Sequence, residues 1–374
     1  MKKLFFIAVI ASVALAGCIK NDPAPSVNDQ NEITFSTPVV ALNTKASAVV
    51  EGTTYPTEIP FSVWGWYKKD NVTAAYMTDV EVEYSNFDMG DEEEEDGSWR
   101  ANPAYYWPKQ GVLDFDAYSP SSLQGYNSTG IAADKCVVTC DATSGLSFEN
   151  FVIGTSMSGQ IDVMYSTRAA DKTSSSYTPG NTYEGVDIQF NHALSVLCFT
   201  VSHINGGYPE GTIHLRDINI QALNEGDFTQ GLDSDGPKWT VNMDRTKEAY
   251  TPFHCANYAS STPVTTTVTP VGTPILLLPQ TLNKGQLINI VYYIKNGDEE
   301  PLMQEIDIDL TALVNQEGTE VNDPDTDTDD EEVTVNEWKM GKRYTYNIIF
   351  GLDEIYFAPA VSDWEDVTVA LPSI

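Results

Sequence analysis

Cys18 is the residue whose setting dictates a covalent chemistry most directly. Lys2 and Lys3 make a short basic start, Leu4 to Leu15 is apolar, and Leu15-Ala16-Gly17-Cys18 closes the run with small residues and a thiol. Basic, apolar and small residues in that order form a secretory signal peptide, and the apolar run is shorter than the roughly 20 residues a spanning helix needs. The last four residues look like a bacterial lipobox, in which the cysteine is acylated and becomes the new N-terminus. Stable anchoring takes more than one acyl chain at about 0.8 kcal/mol per buried CH₂. Radiolabelled palmitate should therefore enter the protein and be lost in Cys18→Ser; equal labelling of the variant would remove the basis for an anchor.

The usual catalytic constellations do not assemble from the remaining residues. His192, His203, His214 and His254 are the histidines, and none sits in a His-Glu-x-x-His run. The chain also carries no Gly-x-Ser-x-Gly elbow and no Walker loop. His192, between Asn191 and Ala193-Leu194, reads as a packed or edge histidine of a strand. A glycosidase needs only two carboxylates at a set separation, which a chain this acidic could supply anywhere, but nothing in the pattern points to one. The expectation is a protein that is not an enzyme, with no cofactor and no metal site. Asp325-x-Asp327-x-Asp329-Asp330 resembles a calcium loop superficially. Asp330 stands where an EF-hand needs glycine, so a solvated acidic loop is expected, with weak calcium binding by the acidic runs left open.

The other cysteines are Cys136, Cys140, Cys198 and Cys255. An oxidising compartment permits disulfides. Cys136 and Cys140 flank the β-prone Val137-Val138-Thr139. Four extended residues span about 13 Å, whereas a disulfide needs Cα atoms within about 7 Å, so a bridge there requires a turn. Cys198 lies in an apolar run and reads as a buried thiol, and the Cys-x₃-Cys spacing lacks the second ligand pair of a zinc site.

The elements that carry these residues read as strands. Period-two alternation runs through Glu32 to Phe35, Phe61 to Trp66, Leu113 to Tyr118 and Val186 to Phe190, each predicting a strand with one buried face. Ile275 to Leu278 and Leu287 to Ile294 are continuous apolar runs suited to burial on both sides, and Tyr344 to Phe350 is a further strand. Leu302 to Leu313 fits a short helix or a strand. Many short strands punctuated by Gly and Pro suggest sandwiches rather than βαβ units.

Three segments read as loops: the acidic run from Asp91, the Ser/Thr/Gly-rich stretch from Arg168 to Gly185, and the acidic stretch from Asn315 to Glu332. At roughly 150 residues per domain the exported chain has room for two. The expected division is a signal peptide over 1–17, a lipidated segment over 18–45, one β-sandwich over 46–175 and another over 176–374. With 54 acidic against 20 basic residues, the net charge of −34 argues against a nucleic-acid partner and against electrostatic attraction to anionic lipid.

Several blocks, in order, resemble the fimbrillin family, the Mfa-like or type V pilins. They are Tyr105-Tyr106-Trp107-Pro108 with Leu113 to Pro120; Asp162-Val163-Met164-Tyr165; Phe190 to Ser195; Leu276 to Gln280; Trp338 to Tyr346; Ile355-Tyr356-Phe357; and Val361-Ser362-Asp363-Trp364. The resemblance implies an all-β chain of two transthyretin-like β-sandwich domains in tandem. It further implies export as an outer-membrane lipoprotein and assembly into a surface fimbria with other fimbrial subunits by strand donation, with adhesion as the output. In such pilins an Arg- or Lys-specific protease removes the first strand. Here that strand is the segment Asn31 to Leu42, carrying Ile33 and Phe35 inward, and Lys45-Ala46 is the expected cleavage point. Val367, Val369 and Leu371 alternate along a candidate donor strand, Asp366 to Ile374, which reads equally well as the last strand of its own domain. The competing reading is a surface glycan-binding lipoprotein beside a nutrient transporter, with Trp64, Trp66, Trp99, Trp107 and Trp239 as sugar platforms if they are exposed rather than packed.

Overall fold

Alternating apolar side chains lay down strands throughout, and their burial decides which sheet each one joins. The computed structural model describes residues 32–40, 55–86, 97–131, 134–174, 185–204, 206, 209, 212–234, 236–311, 336–351 and 355–363. In chain order the strands begin with β1 (Thr34–Phe35), β2 (Val39–Val40), β3 (Phe61–Lys69), β4 (Val72–Asn86), β5 (Gly97–Asn102) and β6 (Val112–Ser119). Next come β7 (Val137–Asp141), β8 (Gly145–Val152), β9 (Met164–Thr167), β10 (Ala169–Lys172), β11 (Gln189–His192) and β12 (Ser195–His203). They continue with β13 (Ile213–Ala222), β14 (Glu225–Thr229), β15 (Lys238–Val241), β16 (Glu248–His254), β17 (Thr262–Pro263) and β18 (Thr269–Leu277). The last are β19 (Gln280–Thr281), β20 (Leu287–Ile294), β21 (Leu302–Asp309), β22 (Glu337–Trp338), β23 (Lys342–Phe350) and β24 (Ile355–Asp363).

The chain is all-β, and its sheets surround two cores. The first core belongs to one large sheet in the order β1-β5-β4-β3-β6-β9-β11-β2, with β10 beside β6. Ile33, Phe35, Val40, Phe61, Trp99 and Phe115 are among its buried side chains. The second core is covered by the sheets β18-β12-β23-β24, β16-β13-β20-β21 and β15-β14-β8-β7. In β23 the residues Tyr344, Tyr346, Ile348 and Phe350 alternate inward as the sequence predicts. Ile275 to Leu278 is buried along its whole length, also as expected. Leu302 to Asp309 resolves the open choice in favour of a strand, with Ile306 and Ile308 facing Ile290 and Ile288 across the β20–β21 ladder.

The structure departs from the sequence reading in four places. The first strand is not continuous: β1 and β2 are separated at Ser36-Thr37-Pro38, because Pro38 has no N–H to donate. β20 buries Ile288 and Ile290 on one face but only Val291 on the other, and leaves Tyr292 to Ile294 half-exposed, so it is not packed on both sides along its length. β6 buries both faces, including the carboxylates of Asp114 and Asp116. The first residues of the expected 168–185 loop are ordered: β10 pairs with β6, and Arg168 is held in an ion pair with Asp116. Residues 175–184 lie outside the described residues. Strands from both sides of that segment, β8 and β14, pair directly with each other.

Cys136, Cys140, Cys198 and Cys255 are free thiols. β7 starts at Val137 and runs extended, so no turn brings Cys140 back to Cys136. Burial pushes the Cys136 thiol up to about 12, with the carboxylates of Asp227 and Glu149 adding to the shift. At pH 8 the thiolate, which is the reactive form, is almost absent there. Native protein treated with iodoacetamide should leave Cys136 unmodified until denaturant is added; prompt labelling would show that this end of β7 opens readily.

Candidate functional site

The segment 32–40 occupies a position that no other described strand shares: it closes the large sheet on itself. On one side β1 runs antiparallel to β5, with Thr34 opposite Arg100 and Phe35 opposite Trp99. On the other side Phe35 bridges Val186 in parallel, and β2 continues parallel to β11 through Val39–Gln189 and Val40–Phe190. The backbone amides of Ser36 and Val39 donate to the carbonyls of Val186 and Ile188, and the Val186 amide donates to Thr34. Ile33 donates to the carbonyl of Tyr105 at the start of the segment. Each of these bonds joins the segment to chain far away in sequence, so the segment fills a slot between two sheet edges.

The side chains follow the same plan. Ile33, Phe35, Pro38 and Val40 are buried, Thr34 between the first two is buried as well, and Thr37 and Val39 are exposed. Phe35 stands edge-on to Phe61 at 5.8 Å and to Phe115 at 5.7 Å, a favoured aromatic geometry. Gly185 allows the closest backbone approach, since a Cβ there would lie 2.4 Å from the carbonyl of Thr34. Two polar contacts mark the rim. Arg100 Nη1 donates to Glu32 Oε2 at 3.1 Å while its Nε donates to Ser98 Oγ at 2.8 Å. Ser36 Oγ donates to Asp187 Oδ1 at 3.0 Å.

Of the residues singled out in the sequence, Ile33 and Phe35 are therefore at the centre of this slot. Cys18, Lys45, Ala46, Val367, Val369 and Leu371 lie outside the described residues. The Arg100–Glu32 pair and the Gly185 approach were missed. The alternating Val186, Ile188 and Phe190 marked a strand, but not the one that would flank the first. His192 is buried with its Nδ1 3.1 Å from Asp162 Oδ1, the packed histidine that its setting predicted. The five tryptophans raised as sugar platforms pack against the cores: Trp66 and Trp99 are buried, and Trp64, Trp107 and Trp239 are partly buried against them. Among the described residues, no group of three or more His, Cys, Asp and Glu side chains is placed to hold a metal ion.

Segment 32–40 thus closes the sheet between β5 and the strand around Val186 to Phe190, with one further backbone bond from the Tyr55 amide to the Pro38 carbonyl. The chain belongs to the fimbrillin-like family, whose profile matches residues 44–364. Its fold is similar to that of a fimbrial protein from Bacteroides vulgatus, at 16% identity and a TM-score of 0.56 over 89% of this chain and 100% of the other. It also matches the C-terminally truncated tip fimbrial protein Mfa3 from Porphyromonas gingivalis, at 10% identity and a TM-score of 0.34 over 82% of this chain and 94% of that one. A comparison with curated protein sequences finds no match.

Proposed function

We propose that this chain is a structural subunit of a surface fimbria, delivered as an outer-membrane lipoprotein through Cys18 and polymerised after loss of its first strand, with adhesion as the function of the assembled fibre. The observation that carries the reading is the slot filled by residues 32–40, supported by membership of the fimbrillin-like family. An Arg- or Lys-specific protease cutting between Lys45 and Ala46 removes the lipid together with Ile33, Phe35 and Val40. Each of these buried side chains contributes roughly 1.5–3 kcal/mol by leaving water. Their loss uncovers an apolar floor between the free edges of β5 and of the 186–190 strand, a surface that aggregates unless another strand fills it. An incoming strand supplies backbone hydrogen bonds to both edges and side chains to the vacated pockets. Asp366 to Ile374 of another subunit, carrying Val367, Val369 and Leu371, is the proposed donor.

Protein recovered from purified filaments should begin at Ala46, and Lys45→Ala should leave Cys18-linked, unpolymerised chain on the cell. Filaments built from intact Cys18-linked chain would defeat this order of events.

A further inference from the structure

We infer the register of the proposed exchange: residues 366–374 of a second copy of this chain replicate the departing segment 32–40 position for position in the slot. The inference rests on the proposed function and goes further by fixing the register and the residue that selects it. Glu32-Ile33-Thr34-Phe35-Ser36-Thr37-Pro38-Val39-Val40 aligns without gaps on Asp366-Val367-Thr368-Val369-Ala370-Leu371-Pro372-Ser373-Ile374. Thr34 and Pro38 meet identical residues, and the acid Glu32 meets an acid.

The correspondence is most specific where the slot is most selective. A regular strand turns every second residue inward. Segment 32–40 departs from that rule: its apolar buried residues are Ile33 and Phe35, then Pro38 and Val40, so the inward positions step by two, three and two. The extra residue falls at the interruption before Pro38. Val367, Val369, Pro372 and Ile374 repeat that stepping, including the proline at the interruption. Leu371 then takes the exposed place of Thr37 and Ser373 that of Val39. Only Val367 and Val369 of the three alternating apolar residues fill the floor, and Ile374 completes it. A register shifted by one residue would turn Thr368 and Ala370 onto the positions of Ile33 and Phe35 and leave the proline out of phase.

Charge fixes the same register. Arg100 is half-buried beside Glu32, and cleavage after Lys45 takes that carboxylate away. In the inferred register Asp366 of the incoming strand stands at the position of Glu32 and supplies the carboxylate again. Arg100 is thus a specificity-determining residue of the slot, and it favours a strand that presents an acid immediately before its first inward apolar residue.

The test uses the full-length chain exported by cells that assemble it. Ser36 Oγ lies 3.0 Å from Asp187 Oδ1, and Ala370 corresponds to Ser36. Chain carrying Ala370→Cys with Asp187→Cys should give sheared filaments that run as a reductant-sensitive ladder of multimers, whereas Leu371→Cys with Asp187→Cys should not. Filaments without the Ala370→Cys ladder, an equal or stronger ladder from Leu371→Cys, or a link confined within single chains each overturn the inference while leaving strand exchange standing. If the unaltered chain forms no filaments, the proposed function falls and this inference with it. A second set of variants covers the case in which the cysteines impair assembly. Asp366→Arg should lower filament yield at least tenfold, and Glu32→Arg with Arg100→Glu should restore it when combined with Asp366→Arg by keeping both pairs opposite in charge. Failure of the combination to rescue, with the precursor still folded and exported, overturns the role given to Arg100.

Discussion

Replacing Arg168 with methionine is expected to destabilise the fold by about 3–5 kcal/mol, the usual result of leaving one member of a buried ion pair alone. Asp116 is fully buried at the centre of β6. Its Oδ2 accepts from Arg168 Nη2 at 2.6 Å and from Trp66 Nε1 at 3.1 Å, and Arg168 Nε reaches Oδ1 at 3.0 Å. Burial alone would lower the pKa of Arg168, but the hydrogen bonds and charge of Asp116 outweigh it and the pKa is raised. Arg168→Met keeps the aliphatic stem and removes the cation, so Asp116 retains Trp66 but loses its counter-charge. The second guanidinium arm donates to the carbonyl of Ala142 at 2.6 Å. That bond ties the large sheet to the turn between β7 and β8, so the variant should also loosen the β7–β8 hairpin. The urea midpoint measures the loss, and tryptic cleavage at Lys172 in the variant reports local opening. Asp116→Leu combined with Arg168→Met should recover much of the stability, because a well-packed apolar pair need not lose to a buried ionic one. A loss below about 1 kcal/mol in Arg168→Met would mean that water reaches Asp116 and that the pair is only a surface contact.

This pair also shows where sequence reading stops. The alternation Leu113-Asp114-Phe115-Asp116-Ala117-Tyr118 correctly marked a strand, and the ordinary inference placed the aspartates in solvent. The structure buries both: Trp66, Cys140 and Arg168 gather on Asp116, with Arg168 reaching on to the carbonyl of Ala142 between β7 and β8, and Lys68 and the Asp171 amide hold Asp114. Lys68 Nζ lies 2.8 Å from Asp114, and Arg168 neutralises Asp116. The partners are 46 and 52 residues away in sequence, and no local period encodes them. The 168–185 stretch was polar in composition, yet Arg168 is polar because it is paired, not because it is exposed. β20 failed in the opposite direction: its continuous apolar run suggested two buried faces, but Ile288 and Ile290 pack on one face while Val291 alone is buried on the other. By contrast, Ile33 and Phe35 were legible as inward residues, since Glu32 to Phe35 alternates and nothing nearby interrupts it. Their two flanking edges were not, because one is contributed from near residue 100 and the other from near residue 186.

Phe35→Ala should release the first segment selectively, before the rest of the fold yields. Truncating a buried phenylalanine typically costs about 3–5 kcal/mol through lost transfer energy and the cavity left behind. Here the cavity opens beside the rings of Phe61 and Phe115, both buried in the first core. The segment is bonded to the sheet through few amides, and those of Ser36 and Val39 report directly on its attachment. Each 1.4 kcal/mol of local destabilisation raises exchange through opening by about tenfold, so these two amides should exchange at least about a hundredfold faster, up to the limit set by global unfolding. Amides of β12 and β23, which pair with each other around the second core, should keep their protection. Thr37→Ala, on the exposed side of the same segment, should change stability by no more than about 0.5 kcal/mol. Equal loss of protection in both cores would mean that the segment unfolds only with the whole molecule. A strand bound in that way could not leave by proteolysis without destroying the acceptor, and strand exchange would need a different strand to depart.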